Sequence, residues 1–219
     1  MSRDPRADEL RSGYAPIARG YGDALADELA GKPLDRAFLD AFAERCTGGA
    51  IVELGCGPGQ VAAYLASRGA RVAGLDLSPA MIEEARARHP AIEFVVGDMF
   101  ALPYPTKSLR GLVAFYAIVH LRTAELDAPF REMHRVLADD GLAAIAFHAG
   151  TDEVHVDEMF GARTSLDFMF HPPDAVAAAI ERAGFTVEAR LDRAPYPSAE
   201  HPSRRTYLLA RRTPCTCCF

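Results

Sequence analysis

Residues 50–59 read Ala-Ile-Val-Glu-Leu-Gly-Cys-Gly-Pro-Gly. The apolar run from Ala50 to Leu54 has the length of a buried strand, and three glycines within the next five residues end it abruptly. Past them, Val61, Ala62, Leu65 and Ala66 recur at helical spacing. The stretch therefore reads as strand, glycine turn, helix. Glycines in such a turn let the backbone approach a ligand closely, and the helix that follows presents its N-terminus to it.

Working outward, the same alternation repeats. Residues 71–75 read as a second strand, after which Ser78 and Pro79 supply an N-cap and a first helical residue, with Met81, Ile82 and Ala85 on the buried face of a helix that ends near His89-Pro90. Residues 92–96, 112–116 and 142–147 read as strands three to five, with a helix over 124–137 and a turn at Asp139-Asp140-Gly141. Residues 151–170 mix acidic, aromatic and Met residues without a clear period. Pro172-Pro173 opens a helix through Ala183 that Gly184 stops, and residues 185–191 and 205–209 read as two last strands. Their proline-rich connection is too short for a helical crossover, so this pair is expected to be antiparallel. Ahead of the sheet, residues 14–29 and 34–46 read as two helices separated by Gly31-Lys32-Pro33. The expected architecture is α/β: a Rossmann-like, doubly wound, mostly parallel seven-stranded sheet with an antiparallel C-terminal hairpin and an N-terminal helical cap. Residues 1–212 are read as one domain, divided into a cap (1–48), a ligand-binding core (49–148), a substrate-side segment (149–172) and a terminal helix and hairpin (173–212), followed by a tail, 213–219.

Composition narrows the function classes. The 219 residues suit one core. With 24 basic against 30 acidic side chains the net charge is -6, which leaves no positive field to gather nucleic acid or anionic lipid. The first residues lack an apolar leader and no apolar run approaches the roughly 20 residues that span a bilayer, so a cytoplasmic, soluble protein is expected. Of the five cysteines, Cys215, Cys217 and Cys218 crowd the last positions, which is no disulfide framework, and they lack the partners that would complete a tetrahedral metal site. No metal is expected, and oligomeric state is not legible.

The acidic residues at the strand ends carry the chemistry. Glu53 just ahead of the glycines would repel a pyrophosphate but suits a ligand with a cationic amine and a sulfonium; S-adenosylmethionine carries both. Asp76, about twenty residues on, sits where a carboxylate accepts from both ribose hydroxyls in dinucleotide-binding folds. Gly97-Asp98-Met99 ends strand three, where Asp98 can accept from an adenine amino group and Met99 can pack on the ring. A nicotinamide dehydrogenase is disfavoured, because Gly-Cys-Gly-Pro-Gly lacks the third spaced glycine of the dinucleotide fingerprint.

ELGCGPG (53–59), GLDLSPAMIEEAR (74–86) and FVVGDM (94–99) together resemble motifs of class I S-adenosylmethionine-dependent methyltransferases of the ubiquinone and menaquinone biosynthesis type. The resemblance runs from about Tyr14 to Arg212, and FYAIVHL (115–121) and EMHRVL (132–137) are similar to the family's fourth-strand region and the helix before its fifth strand. It implies S-adenosylmethionine as cofactor, S-adenosylhomocysteine as its product, and methyl transfer to O, N or C of a small molecule, with secondary metabolism as a setting. It also implies that Gly55, Gly57 and Gly59 line the methionine end, that Asp76 with Leu77 holds the ribose, and that Met81, Gly97, Asp98 and Met99 surround the adenine. Phe115 and Ala117 are expected beside the cofactor. Tyr14 and Tyr21, seven residues apart on one helical face, resemble the segment that closes over it. One departure is Arg110-Gly111-Leu112, where many members carry an acid just before strand four; how that strand's start is capped is left open.

Because the sulfonium is already a strong methyl donor, the protein's task is mainly to orient a nucleophile. His120, past the end of strand four, and His148, after strand five, are the candidate bases. His155 and His171 fall in the aperiodic segment. Tyr116, His120, Phe147, Phe168, Phe170 and Tyr196 are candidates for the acceptor pocket, while Glu200 and Arg204-Arg205 are read as bracing the terminal hairpin. Fold does not fix reaction, so a cyclisation or rearrangement on the same fold, or non-catalytic cofactor binding, stand as alternatives.

Overall fold

The computed structural model describes residues 5–197 and 200–213. Strands β1 (Ala50–Leu54), β2 (Arg71–Asp76), β3 (Glu93–Val96), β4 (Leu109–Phe115), β5 (Leu137–Ala149), β8 (Phe185–Arg193) and β9 (Arg204–Arg212) form one seven-stranded sheet in the order β3-β2-β1-β4-β5-β9-β8. The first five run parallel; β9 is antiparallel to β5, and β8 to β9. This is the expected α/β architecture with its antiparallel C-terminal hairpin.

Both faces of the sheet are covered, as the apolar strands require. Alternate residues of β4 point to opposite sides. Leu112 and Ala114 join Phe130 and Met133 of α6 (Asp127–Val136) and Val176 and Ile180 of α7 (Pro173–Arg182). Val113 and Phe115 join Leu39 and Phe42 of α3 (Pro33–Arg45) and Val61 and Leu65 of α4 (Gln60–Ser67). A third cluster, around Phe94 and Ile82, seats α5 (Pro79–Arg88). Each such fully buried side chain contributes roughly 1.5–3 kcal/mol. The Ser78-Pro79 start of α5 forms as the sequence predicts, with Ser78 Oγ accepting from Met81 N at 3.4 Å.

Four elements differ from the sequence reading. Residues 14–29 are not one helix: α1 (Pro5–Tyr14) ends ahead of Pro16, whose ring cannot continue the hydrogen-bond ladder, and α2 (Ala18–Leu25) starts anew, followed by a 3-10 turn, Glu28–Gly31. The predicted 124–137 helix is a 3-10 turn, Thr123–Glu125, and then α6. Strand β5 begins at Leu137 rather than 142, because the pairing Leu109↔Leu137 and then Gly111↔Leu142 absorbs Asp139-Asp140-Gly141 as an irregularity, with Asp140 at φ +61. This also extends β4 back to Leu109, and its start is capped by Arg110, whose guanidinium donates to the Asp140 and Arg45 carbonyls at 3.0 and 3.4 Å. Finally, the aperiodic 151–170 stretch contains an antiparallel hairpin, β6 (Glu153–Met159) and β7 (Ala162–Met169). Its two-residue turn is Phe160-Gly161 with φ +53 and +77, the double positive φ of a tight hairpin turn. Phenylalanine rarely occupies that first position, which is why the turn was not legible. The Cys215, Cys217 and Cys218 tail lies outside the described residues.

Strand order reverses between β1 and β4, since β2 and β3 lie to one side of β1 and β4 to the other. In open α/β sheets ligands bind beyond the carboxyl ends at such a reversal. Here α1, α2 and the β6–β7 hairpin close over that point: Thr164 Oγ1 donates to the Gly13 carbonyl at 2.7 Å, and the Tyr21 ring meets Phe160 at 5.5 Å.

Candidate functional site

A cavity of about 290 Å³ lies at this point. Its floor is the glycine turn. Gly55 has φ +62, and a Cβ there would come within 2.6 Å of Ala117 Cβ; Gly57 has φ +51 and faces open space, with Tyr21 Cε1 at 3.9 Å the nearest atom to an added Cβ. Both line the cavity. Gly59 does not: a Cβ there would strike Phe94 at 2.6 Å, so this glycine serves the packing of α4 against β3.

The strand-end acids converge on the same end. Asp76 Oδ2 accepts from Gly57 N and Oδ1 from Ser78 N, each at 2.8 Å, so it fixes the turn as well as lining the cavity. Glu53, 2 % exposed, accepts from Ala62 N at 2.7 Å in the first turn of α4. Burial pushes both carboxyls above their ordinary range; for Glu53 the Asp76 and Glu28 carboxylates add to the effect. Gln60 Nε2 donates to Glu28 Oε1 at 2.8 Å, and Gln60 Oε1 is buried without a hydrogen-bond partner. Leu77, Met81, Gly97, Asp98 and Met99 line the neighbouring wall, with Asp98 Oδ1 accepting from Phe100 N at 3.0 Å. A glycine cradle, three converging acids of which Glu53 is buried, and an orphaned acceptor fit a ligand with a cationic amine.

Tyr14 and Tyr21 both line the cavity, but from α1 and α2 rather than from one helical face; their rings meet edge to face at 6.0 Å. His120 follows β4 in a 3-10 turn, Ile118–His120, which His171 braces by its Nε2 contact to the Ile118 carbonyl at 3.2 Å. Its Nδ1 lies 2.7 Å from the Asp167 carbonyl of β7, and its Nε2 2.6 Å from the Tyr14 hydroxyl. A carbonyl only accepts, so Nδ1 carries the proton and Nε2 accepts the Tyr14 O–H. Burial holds this imidazole down at about 4, although the Asp167 carbonyl works against it.

The far end of the cavity is formed by Tyr116, His148 and Phe168, joined by Lys32, Asp35 and His201, which the sequence did not mark, and by Glu200 and Arg205, which it read only as bracing the hairpin; Phe115 and Ala117 line the cavity nearer the glycine turn, Ala117 against Gly55. Tyr116 has φ +55, a conformation that bulky residues rarely adopt, held by its N–H to the Ala146 carbonyl at 2.8 Å. Its hydroxyl lies 3.1 Å from that of Tyr207, which in turn donates to Asp35 at 2.8 Å. Arg193 joins Asp35 at 2.8 Å and grips Glu200 with both terminal nitrogens at 2.6 and 2.7 Å. Burial pushes the Glu200 carboxyl up, but the Arg193 bonds prevail and hold it at about 2. Thus Glu200 and Arg205 brace the hairpin, as the sequence suggests, and also wall the cavity. His148 Nδ1 contacts Ser203 Oγ at 2.7 Å, its ring stacks on Phe170 at 4.9 Å, and burial, followed by Arg205, pushes it down to about 3.

Three expected pocket aromatics stand outside the cavity. Phe147 is wholly buried in the core on the other face of β5 from His148; Phe170 lies behind His148; Tyr196 accepts from Leu34 N at 3.2 Å and stacks under Arg193. Lys32, Asp35 and His201 had no local signal, and the place of Arg205 at the cavity depends on β9 lying beside β5 in the sheet. Among the described residues no group of three or more His, Cys, Asp or Glu side chains is arranged to hold a metal, and no helix is long and apolar enough to cross a membrane.

Residues 51–141 match the family model described as a methyltransferase domain. The chain is 34% identical over 161 residues to a "probable S-adenosylmethionine-dependent methyltransferase" of Mycolicibacterium smegmatis, an alignment covering 68% of this chain and 57% of that protein. The chain spans about half the length of several curated relatives it matches. Its fold is similar to that of magnesium protoporphyrin IX methyltransferase from Synechocystis PCC 6803 with bound SAM, with a TM-score of 0.73, 16% identity, and 97% and 100% of the two chains covered. It is also similar to 1,6-didemethyltoxoflavin-N1-methyltransferase from Burkholderia thailandensis, with a TM-score of 0.71, 21% identity and 98% and 92% coverage. Motif order, sheet topology and these matches agree: residues 51–141 match a methyltransferase domain, and the chain has the Rossmann-like fold of class I S-adenosylmethionine-dependent methyltransferases, to which it is similar.

Proposed function

We propose that this chain is a cytoplasmic enzyme that transfers the methyl group of S-adenosylmethionine to O, N or C of a small-molecule acceptor, releasing S-adenosylhomocysteine. The observation that carries the reading is one cavity with two unlike ends: a glycine-lined acidic end built from β1 to β3, and a mixed polar end built from β4, β5 and β9. In this reading residues 49–148 hold the cofactor, and 149–172 lie on the acceptor side. Glu53, Glu28 and the unpaired Gln60 Oε1 hold the amine, Gly55 and Gly57 admit the methionine chain, Asp76 holds the ribose, and Met81, Asp98 and Met99 hold the adenine. When bound, the cofactor supplies an activated methyl group on a sulfonium.

The chain's own contribution is orientation and proton handling. Tyr14 and Tyr21 exclude water from above. His120 keeps its proton on Nδ1 and its Nε2 lone pair on the Tyr14 O–H, so the atom offered to an acceptor hydroxyl is the Tyr14 oxygen. A proton taken there passes along the 2.6 Å hydrogen bond to His120 Nε2, and the Asp167 carbonyl steadies the resulting imidazolium. Two measurements test the function: calorimetric titration with S-adenosylmethionine and S-adenosylhomocysteine, and mass spectrometry of the adenosine compound that co-purifies, followed by mass shifts of candidate acceptors. Micromolar binding of both nucleosides is expected; no binding of either by the folded chain removes the reading.

A further inference from the structure

We propose that the acceptor end of the cavity is an anion site, and that the acceptor carries a carboxylate held by Lys32 and Arg205. The argument is a count of donors and acceptors. The acids at this end have their oxygens engaged by the protein. Asp35 accepts from Arg193 through Oδ1 and from Tyr207 through Oδ2; Glu200 accepts from Arg193 through both oxygens and from Tyr196 N through Oε2; Glu28, which reaches over from the amine end, accepts from Gln60 and from Lys32. The cations are not used up. Lys32, 6 % exposed, has three N–H donors, of which one meets Glu28 Oε2 at 2.5 Å and another faces Glu200 Oε1 at 3.6 Å. Arg205, 3 % exposed, spends Nη1 on the His201 carbonyl and on Ser203, while its Nε has no hydrogen-bond partner among the described residues and stands 3.5 Å from Glu200 Oε1.

The unspent capacity at this end is therefore donor capacity on positive groups. A neutral oxygen could accept one of these donors, but an anion takes up donors of both cations in charge-assisted bonds. A two-oxygen anion matches what remains, because one oxygen can accept from the Arg205 guanidinium and the other from the Lys32 ammonium. The His148 imidazole beside them adds no competing negative charge. The cavity is then polarised along its length, with a cation held at the Glu53 end and an anion at the Arg205 end. That the anion belongs to a methyl acceptor rests on the proposed function; the anion selectivity itself does not.

The test is a set of calorimetric titrations of the full chain, saturated with S-adenosylhomocysteine, with three isosteric pairs: benzoate and benzamide, phenylacetate and phenylacetamide, hexanoate and hexanamide. At least one carboxylate is expected to bind about tenfold more tightly than its amide. Arg205→Gln and Lys32→Met are expected to reduce that preference below about threefold, with S-adenosylhomocysteine affinity kept in Arg205→Gln. If a variant fails to fold, the wild-type ratio and Arg205→Lys carry the test. No preference in any pair, or a preference that survives in both folded variants, overturns the proposal. Should S-adenosylhomocysteine itself not bind, the methyltransferase reading fails, and the same pairs titrated without it still decide the anion site.

Discussion

Acidification from pH 7 to 4.5 should destabilise the folded chain through His120. Its imidazole is held down at about 4, first by burial, against 6.5 for a free ring. Between these values the unfolded chain takes up a proton that the folded chain refuses, so stability that is whole above pH 6.5 is lost as the pH falls toward 4 and then levels off. The difference corresponds to about 3 kcal/mol at ~1.4 kcal/mol per pH unit, and about 2 kcal/mol of it should appear by pH 4.5 once the ring's residual contact with water is allowed for. His148, pushed down to about 3, acts in the same direction. The measured quantity is therefore the difference between wild type and His120→Gln in urea titrations at pH 7, 5.5 and 4.5. The variant should lose about 2 kcal/mol less than wild type on acidification. A difference that stays constant across the three pH values would refute a neutral, doubly hydrogen-bonded imidazole. The same geometry places the acid limb of turnover near pH 4 rather than near 6.5, since His120 stays able to accept a proton down to that point.

Asp76→Ala should weaken S-adenosylmethionine binding by roughly 1.5–3 kcal/mol, because it removes charged hydrogen bonds to the ribose and also frees Gly57 N and Ser78 N from their anchor; unchanged calorimetric affinity in a folded variant would take the residue out of the site. Glu200→Gln should cost about 3 kcal/mol at pH 7, since the carboxyl lies at about 2 against an ordinary 4.5. Stability from a depressed carboxyl is present above 4.5 and lost as the pH falls toward 2, so the gap between variant and wild type in urea should narrow to about 2 kcal/mol at pH 3.5, and a gap that does not narrow would count against the Arg193–Glu200 pair.

The sheet and its ligand end were legible because their signals are local. A five-residue apolar run, three glycines and a helical period set β1, the turn and α4 within residues 50–67, and Ser78-Pro79 set the start of α5. Asp76 and Asp98 could be found because they follow strand ends, and parallel strands bring those ends together whatever the surrounding loops do. The two tyrosines were half legible: both line the cavity, but from two helices rather than one, since Pro16 breaks the helix and the rings meet across the break. The charged network at the far end of the cavity was decided only by tertiary structure. Lys32, Asp35, Arg193, Glu200 and Arg205 are strung over more than 170 residues, and each is an ordinary surface-type residue in its own segment. Their burial in one network follows from β9 inserting antiparallel between β5 and β8, which sets Arg205 opposite His148 and Tyr207 opposite Ala146. The β6–β7 hairpin likewise closes on a Phe-Gly turn whose first residue no turn propensity favours. Its packing against α1 fixes which nitrogen of His120 holds the proton, because the Asp167 carbonyl arrives from a strand 47 residues away. Sequence period determines which residues lie on a buried face; the partner of a long-range hydrogen bond is determined by the order of strands.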